Sequence, residues 1–216
     1  MITVYGRVTS SNVQAVLWGM AELGLEHERL DYGHVFGGLN TPEFRALNPH
    51  ELIPVIRDGE VVVWESCAIL RYLASHYGDG GAFWPANPAQ RAVVDMWAEW
   101  GKISFAQNFT APIFWSRVRT AAVDRDEAAL SAAIAHFETR IEALENQLDG
   151  GQSFVVSDDF TLADIVIGHV LFRWFDIDIP RAPRPSVEAY FQRLMGRPAY
   201  RDHVAISYED LRVEGA

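Results

Sequence analysis

The chain has 216 residues, 49% of them hydrophobic and 22% charged, a balance that can bury a sizeable core and excludes a disordered chain. Its formal charge of −11 is a poor start for gripping a phosphate backbone, so nucleic-acid binding is not expected. One cysteine, Cys67, excludes an internal disulfide framework and a cysteine-built metal site, which points to a cytoplasmic protein.

The first 80 residues mix strand and helix patterns. Residues 2–5 form a short apolar run suited to a strand. Small polar residues follow, and then Val13, Val16, Leu17, Met20 and Ala21 recur at one-faced helical spacing, with Gly24 as the stop and Gly19 an awkward interior residue. Residues 27–31 give a weaker strand signal, and 42–47 read as a short helix. The runs 54–57 and 61–64 flank Asp58-Gly59-Glu60, a hairpin signal. Ser66 then opens a helix with Ile69, Leu70, Leu73 and Tyr77 on one side. One sheet with helices packed on it would bury these faces.

Residues 77–88, with Gly78, Gly80, Gly81, Pro85 and Pro88, read as a linker. Beyond it the pattern is helical only. A long helix or a pair covers 89–118, with a break expected near Pro112. Further helices are expected over 126–148, 161–175, 186–194 and 198–206. Thr161 and Asp164 form a capping box, flanked by Phe160 and Ile165 at the positions of a hydrophobic staple, so Asp164 reads as structural.

Ser10, Ser11 and Asn12 lie where the first strand hands over to the first helix. Amides at a helix start favour an anion there. Ser11 with Gln14 fits a capping box, which leaves the Ser10 hydroxyl free for a ligand. Ser66 reads as an N-cap, and Glu65 beside it either holds a substrate ammonium group or is an ordinary surface acid. Trp97, Trp100, Phe105, Phe109, Phe114 and Trp115 are dense. Most belong to core packing, but Trp97, Trp100, Phe105 and Phe109 cannot all share one narrow helix face, so some line an apolar pocket or a subunit contact. Seven histidines are scattered without metal-ligand spacing. Cys67 reads as a buried thiol. No apolar run approaches the ~20 residues of a membrane span, and the first residues lack the basic-then-apolar grammar of a signal peptide.

The stretches SSNVQAVLWGMAELGLEHE, FRALNPHELIPVI, DGEVVVWESCAILRYLA and FTLADIVIGHVLFRW resemble the soluble glutathione S-transferase family, particularly its bacterial members. The resemblance covers nearly the whole chain. It implies an α/β thioredoxin-like domain (βαβαββα, a mixed four-stranded sheet) over 1–80, followed by an all-α domain over 89–216. It implies glutathione as co-substrate, no metal, a small apolar electrophile as second substrate, and a homodimer without nucleic-acid or membrane partners. Residue by residue, Pro54 matches the family's cis-proline and Ile53 the residue whose backbone pairs with the cysteinyl part of glutathione. Glu65 and Ser66 match the γ-glutamyl contacts. Ser10 matches the serine, or cysteine, that faces the thiol, with Ser11 and Asn12 in reserve. Tyr5 lies too early to match a catalytic tyrosine.

The chain departs from the family pattern before the proline. A basic residue is common at the position of Leu52, and a glycine at that of Glu51. His50 is the nearby substitute for holding the glycyl carboxylate, with His34, Asn40 or Arg45 as other donors. Trp97, Trp100, Phe105, Phe109 and Phe114 are the candidates for the apolar co-substrate site. The family likeness does not separate a transferase from an isomerase, a reductive dehalogenase, an organic hydroperoxide peroxidase or a non-catalytic relative.

Overall fold

In the computed structural model, which describes residues 1–216, the apolar run at the start becomes β1 (Ile2–Tyr5), an inner strand of a four-stranded sheet. It pairs in parallel with β2 (His27–Leu30) and antiparallel with β3 (Val55–Asp58), which turns back into β4 (Val61–Trp64); the order is β2-β1-β3-β4. A parallel pair needs a crossover, and α1 (Ser11–Glu22) supplies it. The hairpin turns at Gly59, whose φ of +58° few other residues adopt. Asp58 then accepts hydrogen bonds from Tyr72 (2.8 Å) and Tyr77 (2.6 Å), which tie the hairpin to α3 (Ser66–His76) and to Tyr77 just beyond its end. Between β2 and β3 lies α2 (Pro42–Leu47), capped by the Thr41 hydroxyl.

α1 and α3 are sandwiched. Val13, Val16, Leu17 and Met20 pack with Ile56, Ile69 and Leu73 in a small core on the sheet side. Ala15, Trp18, Cys67, Leu70 and Ala74 belong to a larger core shared with the helices beyond residue 88. Gly19 is explained by this crowding: a Cβ there would lie 2.3 Å from Cδ2 of the buried Leu70, so a side chain would have to displace Leu70 within the core. Cys67 is buried, and burial pushes its thiol pKa up, away from reactivity.

From Pro88 the chain is helical. α4 (Pro88–Trp100) runs without a break into a π-helical segment (Gly101–Ala106), α5 (Gln107–Phe109), a second π segment (Thr110–Trp115) and α6 (Ser116–Val118). The expected break at Pro112 does not occur. Proline has no N–H to give, and it falls where the ladder is already offset to the five-residue step of a π turn. That offset also corrects the aromatic reading. Residues four and five apart stay on one face of a widened helix, so Phe105, Phe109 and Phe114 all point inward and are fully buried.

α7 (Glu127–Leu148) follows, capped by Asp126. The helix expected over 161–175 is two, α8 (Leu162–Gly168) and α9 (Leu171–Asp176). The cause lies in α11 (Pro198–His203), which follows α10 (Pro185–Met195). The Tyr200 hydroxyl donates to the Gly168 carbonyl (3.0 Å) and accepts from the Phe172 amide (3.1 Å). Those two groups are the partners of one helical hydrogen bond, so an inserted side chain splits the helix. No helix is long and apolar enough to cross a membrane.

The capping box at the start of α8 is present, and it is more than a cap. Asp164 is fully buried and accepts from the Thr161 amide (2.7 Å), the Thr161 hydroxyl (2.9 Å), the Val155 amide (2.9 Å) and the Tyr190 hydroxyl (2.9 Å). His169 is buried five residues on, with Nδ1 2.8 Å from the Val166 carbonyl oxygen. Burial, then the nearby charge of Lys102, lowers its pKa to about 3. A histidine depressed in the folded state takes up its proton first in the unfolded state, so it contributes stability above pH ~6.5 that is lost as the pH falls toward 3. Urea titrations at pH 6 and pH 4 should show His169→Phe losing about 1 kcal/mol or more less stability per pH unit than the parent. Parallel acid limbs would show that His169 carries no such linkage.

Candidate active site

Four loops converge on one cleft of about 340 Å³, among them the loop between β2 and α2 with Gly33, His34 and Leu39. The β1–α1 turn contributes Arg7, Ser10 and Asn12. The loop before β3 contributes Asn48, Leu52, Ile53 and Pro54, and the Ile53–Pro54 peptide is cis. The β4–α3 junction contributes Glu65 and Ser66. The remaining wall comes from the helical part, through Trp115 and Arg119 at the end of the π-containing helix.

The caps differ by one residue from the sequence reading. Ser10, not Ser11, is the N-cap of α1, and its side chain makes no capping bond. Ser11 is the first helical residue and is buried, so it does not line the cleft. The Ser10 hydroxyl is therefore the free one, as expected, but because it caps without bonding. Likewise Glu65, not Ser66, is the N-cap of α3. Glu65 adopts φ +68°, a left-handed backbone that L-residues take at a cost of about 1–3 kcal/mol. Its carboxylate forms no ion pair and stays exposed at the cleft.

Ser66 is buried and joined to Asn12 through a residue that no local pattern announced. Lys102, in the first π segment, donates to Asn12 Oδ1 (2.9 Å) and to Ser66 Oγ (3.1 Å). One cation thus pins the starts of α1 and α3 to the helical part. Arg173 does the same for the loop before Ser10. It is buried, donates to the Thr9 carbonyl (2.8 Å) and to Gln14 Oε1 (3.2 Å), and lies over the Phe114 ring at 4.5 Å. Burial lowers its pKa to about 10, so it remains charged at neutral pH.

Other candidates fall elsewhere. His50 is exposed, does not line the cleft, and packs its ring edge-on against Trp64 at 4.9 Å. Arg45 is bonded to Glu51 at 2.7 Å, and Asn40 is not in the cleft wall; of the alternative donors only His34 lines it. Phe105 and Phe109 pack on Phe137, at 4.8 and 5.4 Å, and Phe114 on Tyr208 at 5.0 Å. Trp97 and Trp100 are partly buried against the same core. None of the five borders the cleft. Trp115, set aside from the candidate set, does. Arg7, Lys102 and Arg119 were missed altogether. No group of three His, Cys, Asp or Glu side chains is arranged to hold a metal.

Residues 1–75 match the family model for the glutathione S-transferase N-terminal domain, and residues 104–198 that for the C-terminal domain. The chain belongs to the glutathione S-transferase family. It is 36% identical over 208 residues to glutathione S-transferase GstB of Escherichia coli K12, covering 95% of this chain and 99% of that one. To glutathione S-transferase 3 of Zea mays it is 31% identical, with 94% and 93% covered. Among solved structures it is similar to the theta class glutathione S-transferase of Xanthomonas axonopodis pv. citri with glutathione bound. There the TM-score is 0.89 and the identity 38%, over 95% of this chain and 98% of that one.

Proposed function

We propose that this chain is a glutathione transferase that holds glutathione as its thiolate beside Ser10 and directs it at an electrophile. The observation that carries this is the shared cleft: Ser10, the Ile53–Pro54 pair and the Glu65–Ser66 junction line one depression. The peptide's γ-glutamyl end fits the Glu65–Ser66 end. There the Glu65 carboxylate faces an ammonium group, while the buried Ser66 hydroxyl, the α3 amides and Lys102 favour a carboxylate. The Ile53 backbone takes the cysteinyl part, and Ser10 then meets the sulfur.

The chemistry required is modest. A free thiol with a pKa of about 8.5 is only ~3% ionised at pH 7, and lowering it by two units makes it roughly 75% ionised. That shift needs about 2.7 kcal/mol of preference for the thiolate. The Ser10 hydroxyl and the positive end of α1 supply donors toward the anion, and Ser10 need not act as a base. The thiol proton leaves to water before attack. Glutathione itself is the nucleophile.

We also place the protein in the cytoplasm as a homodimer. Val61 and Trp64 on β4, and Val93, Met96 and Ile103 along the outer side of α4 and its extension, leave apolar side chains exposed that a symmetric pair would cover. Light scattering reads that directly.

The enzyme reading is tested by following thiolate absorbance of bound glutathione against pH and conjugate formation with 1-chloro-2,4-dinitrobenzene. The expected result is a midpoint one to two units below the free value of about 8.5, with turnover. A midpoint at the free value without turnover overturns it, and failure to bind at millimolar glutathione leaves a non-catalytic relative.

A further inference from the structure

The cleft wall on the Ser10 side is cationic in a protein whose net charge is −11. Arg7 and Arg119 both line it, one from the β1–α1 turn and one from beyond α6. Seven of the 17 arginines pair with carboxylates, and neither of the two that line this cleft is among them. The buried Arg7 Nε has no hydrogen-bond partner at all. The two cations act on each other. Burial first, and then the charge of Arg119, lowers the Arg7 pKa, and partial burial, then the charges of Arg7 and Arg119, lowers that of His34. Two guanidinium groups without an ion-pair partner share one wall, and an anion placed between them relieves their mutual repulsion.

On the pose proposed above, the γ-glutamyl carboxylate lies beside Ser66 and the cysteinyl part at Ile53, and a glycyl carboxylate that follows the loop before Pro54 leaves the Arg7–Arg119 wall free. On that pose, the groups left to face Arg7 and Arg119 are the sulfur and the second substrate. Trp115 completes this wall: it is 45% exposed, and the Arg119 guanidinium lies 5.1 Å from its ring centroid. A planar apolar surface edged by two fork-shaped donors suits an aromatic or unsaturated carboxylate.

We propose that the electrophile taken by this cleft carries a carboxylate, which Arg7 and Arg119 hold while its carbon skeleton lies on Trp115. The inference rests on the transferase reading for its chemistry but not for its binding site, and the two are tested apart. A suitable substrate is 4-chloro-3-nitrobenzoate, with 4-chloro-3-nitrobenzamide as the neutral comparator. The thiolate's electron pair forms the carbon–sulfur bond at the chlorinated ring carbon. The carbon–chlorine bond breaks, and chloride leaves with its bonding pair.

The first measurement needs no glutathione. Calorimetry with the unreactive 3-nitrobenzoate and 3-nitrobenzamide should show the carboxylate binding at least ~10-fold tighter, the lower end for a hydrogen bond to a charged group. That preference should collapse in Arg119→Gln and in Arg7→Gln. Equal affinities in the parent overturn the proposal, whether or not glutathione binds. The second measurement is kcat/KM for the two chlorides, each divided by its uncatalysed rate with glutathione. The carboxylate-to-amide ratio should fall ~10-fold or more in Arg119→Gln. If both substrates slow equally and the bound thiol's pKa rises, the guanidinium groups serve the sulfur and the proposal fails. Absence of glutathione binding, with the calorimetric preference intact, would instead overturn the transferase reading alone.

Discussion

Ser10→Ala should lower kcat/KM by about 10- to 150-fold, because a hydrogen bond to a charged partner contributes about 1.5–3 kcal/mol. The Ser10 side chain is spent on nothing else: it occupies the N-cap position of α1 without making a capping bond, so its loss leaves the helix intact. The effect should appear as a displacement along the pH axis. With one donor gone, the bound thiol's pKa rises one to two units, and the acid limb of the rate profile moves by the same amount. At pH well above the new value much of the lost rate returns, which a folding defect would not allow. Ser10→Thr, which keeps a hydroxyl, should retain most of the activity. An unchanged profile in Ser10→Ala would remove Ser10 from the mechanism and leave the Asn12 amide as the donor to test. Asn12 Oδ1 is already taken by Lys102 and Ser66, so only its NH₂ group could serve.

The largest stability effect is expected far from the cleft. Asp164→Ala should cost about 4 kcal/mol or more, because four buried donors lose their acceptor and each unsatisfied group costs about 1–3 kcal/mol. An isolated capping residue would cost only about 1 kcal/mol. The difference is tertiary: Val155 belongs to the loop before the helix and Tyr190 to α10, so one carboxylate joins three segments. Urea unfolding reads the loss. Should Asp164→Ala fail to fold, Tyr190→Phe removes a single donor and should cost about 1 kcal/mol with the fold retained. A loss of only about 1 kcal/mol in Asp164→Ala would mean that the box acts as a cap and nothing more.

What was legible depended on how local the signal was. The strands, the Asp58-Gly59 hairpin and the capping box are written in residues within five positions of one another, and all appear in the structure. Ser10, Glu65 and Ser66 were singled out by helix-start patterns and, with Ile53 and Pro54, by stretches that resemble a family, and all five line one cleft. Their meeting in one cleft follows from the sheet order, since β1 lies beside β3 and β3 beside β4. Element edges were less secure: both serine caps moved by one residue. Helix termini are set by which backbone angles close first, and neighbouring serines are nearly equivalent in that contest.

The errors within the helical part have two physical origins. Helical periodicity assumes a constant step, and the chain from Pro88 to Val118 passes into a π step twice. Phe105, Phe109 and Phe114 were therefore assigned to a pocket that they do not reach. The split between α8 and α9 needed Tyr200, 32 residues from Gly168, to insert its hydroxyl.

By itself, then, the amino-acid order determined the two-part architecture, the family, the acidic surface and the group of residues at the helix starts. These depend on patterning and short-range hydrogen bonding, which act within a few residues along the chain. Only the tertiary structure decided which charges enter the cleft. Lys102 lies 90 residues from Asn12, and Arg119 is farther still from Arg7. A cation's role is set by what packing places within a few ångströms, because charges act through space and are screened by water everywhere else.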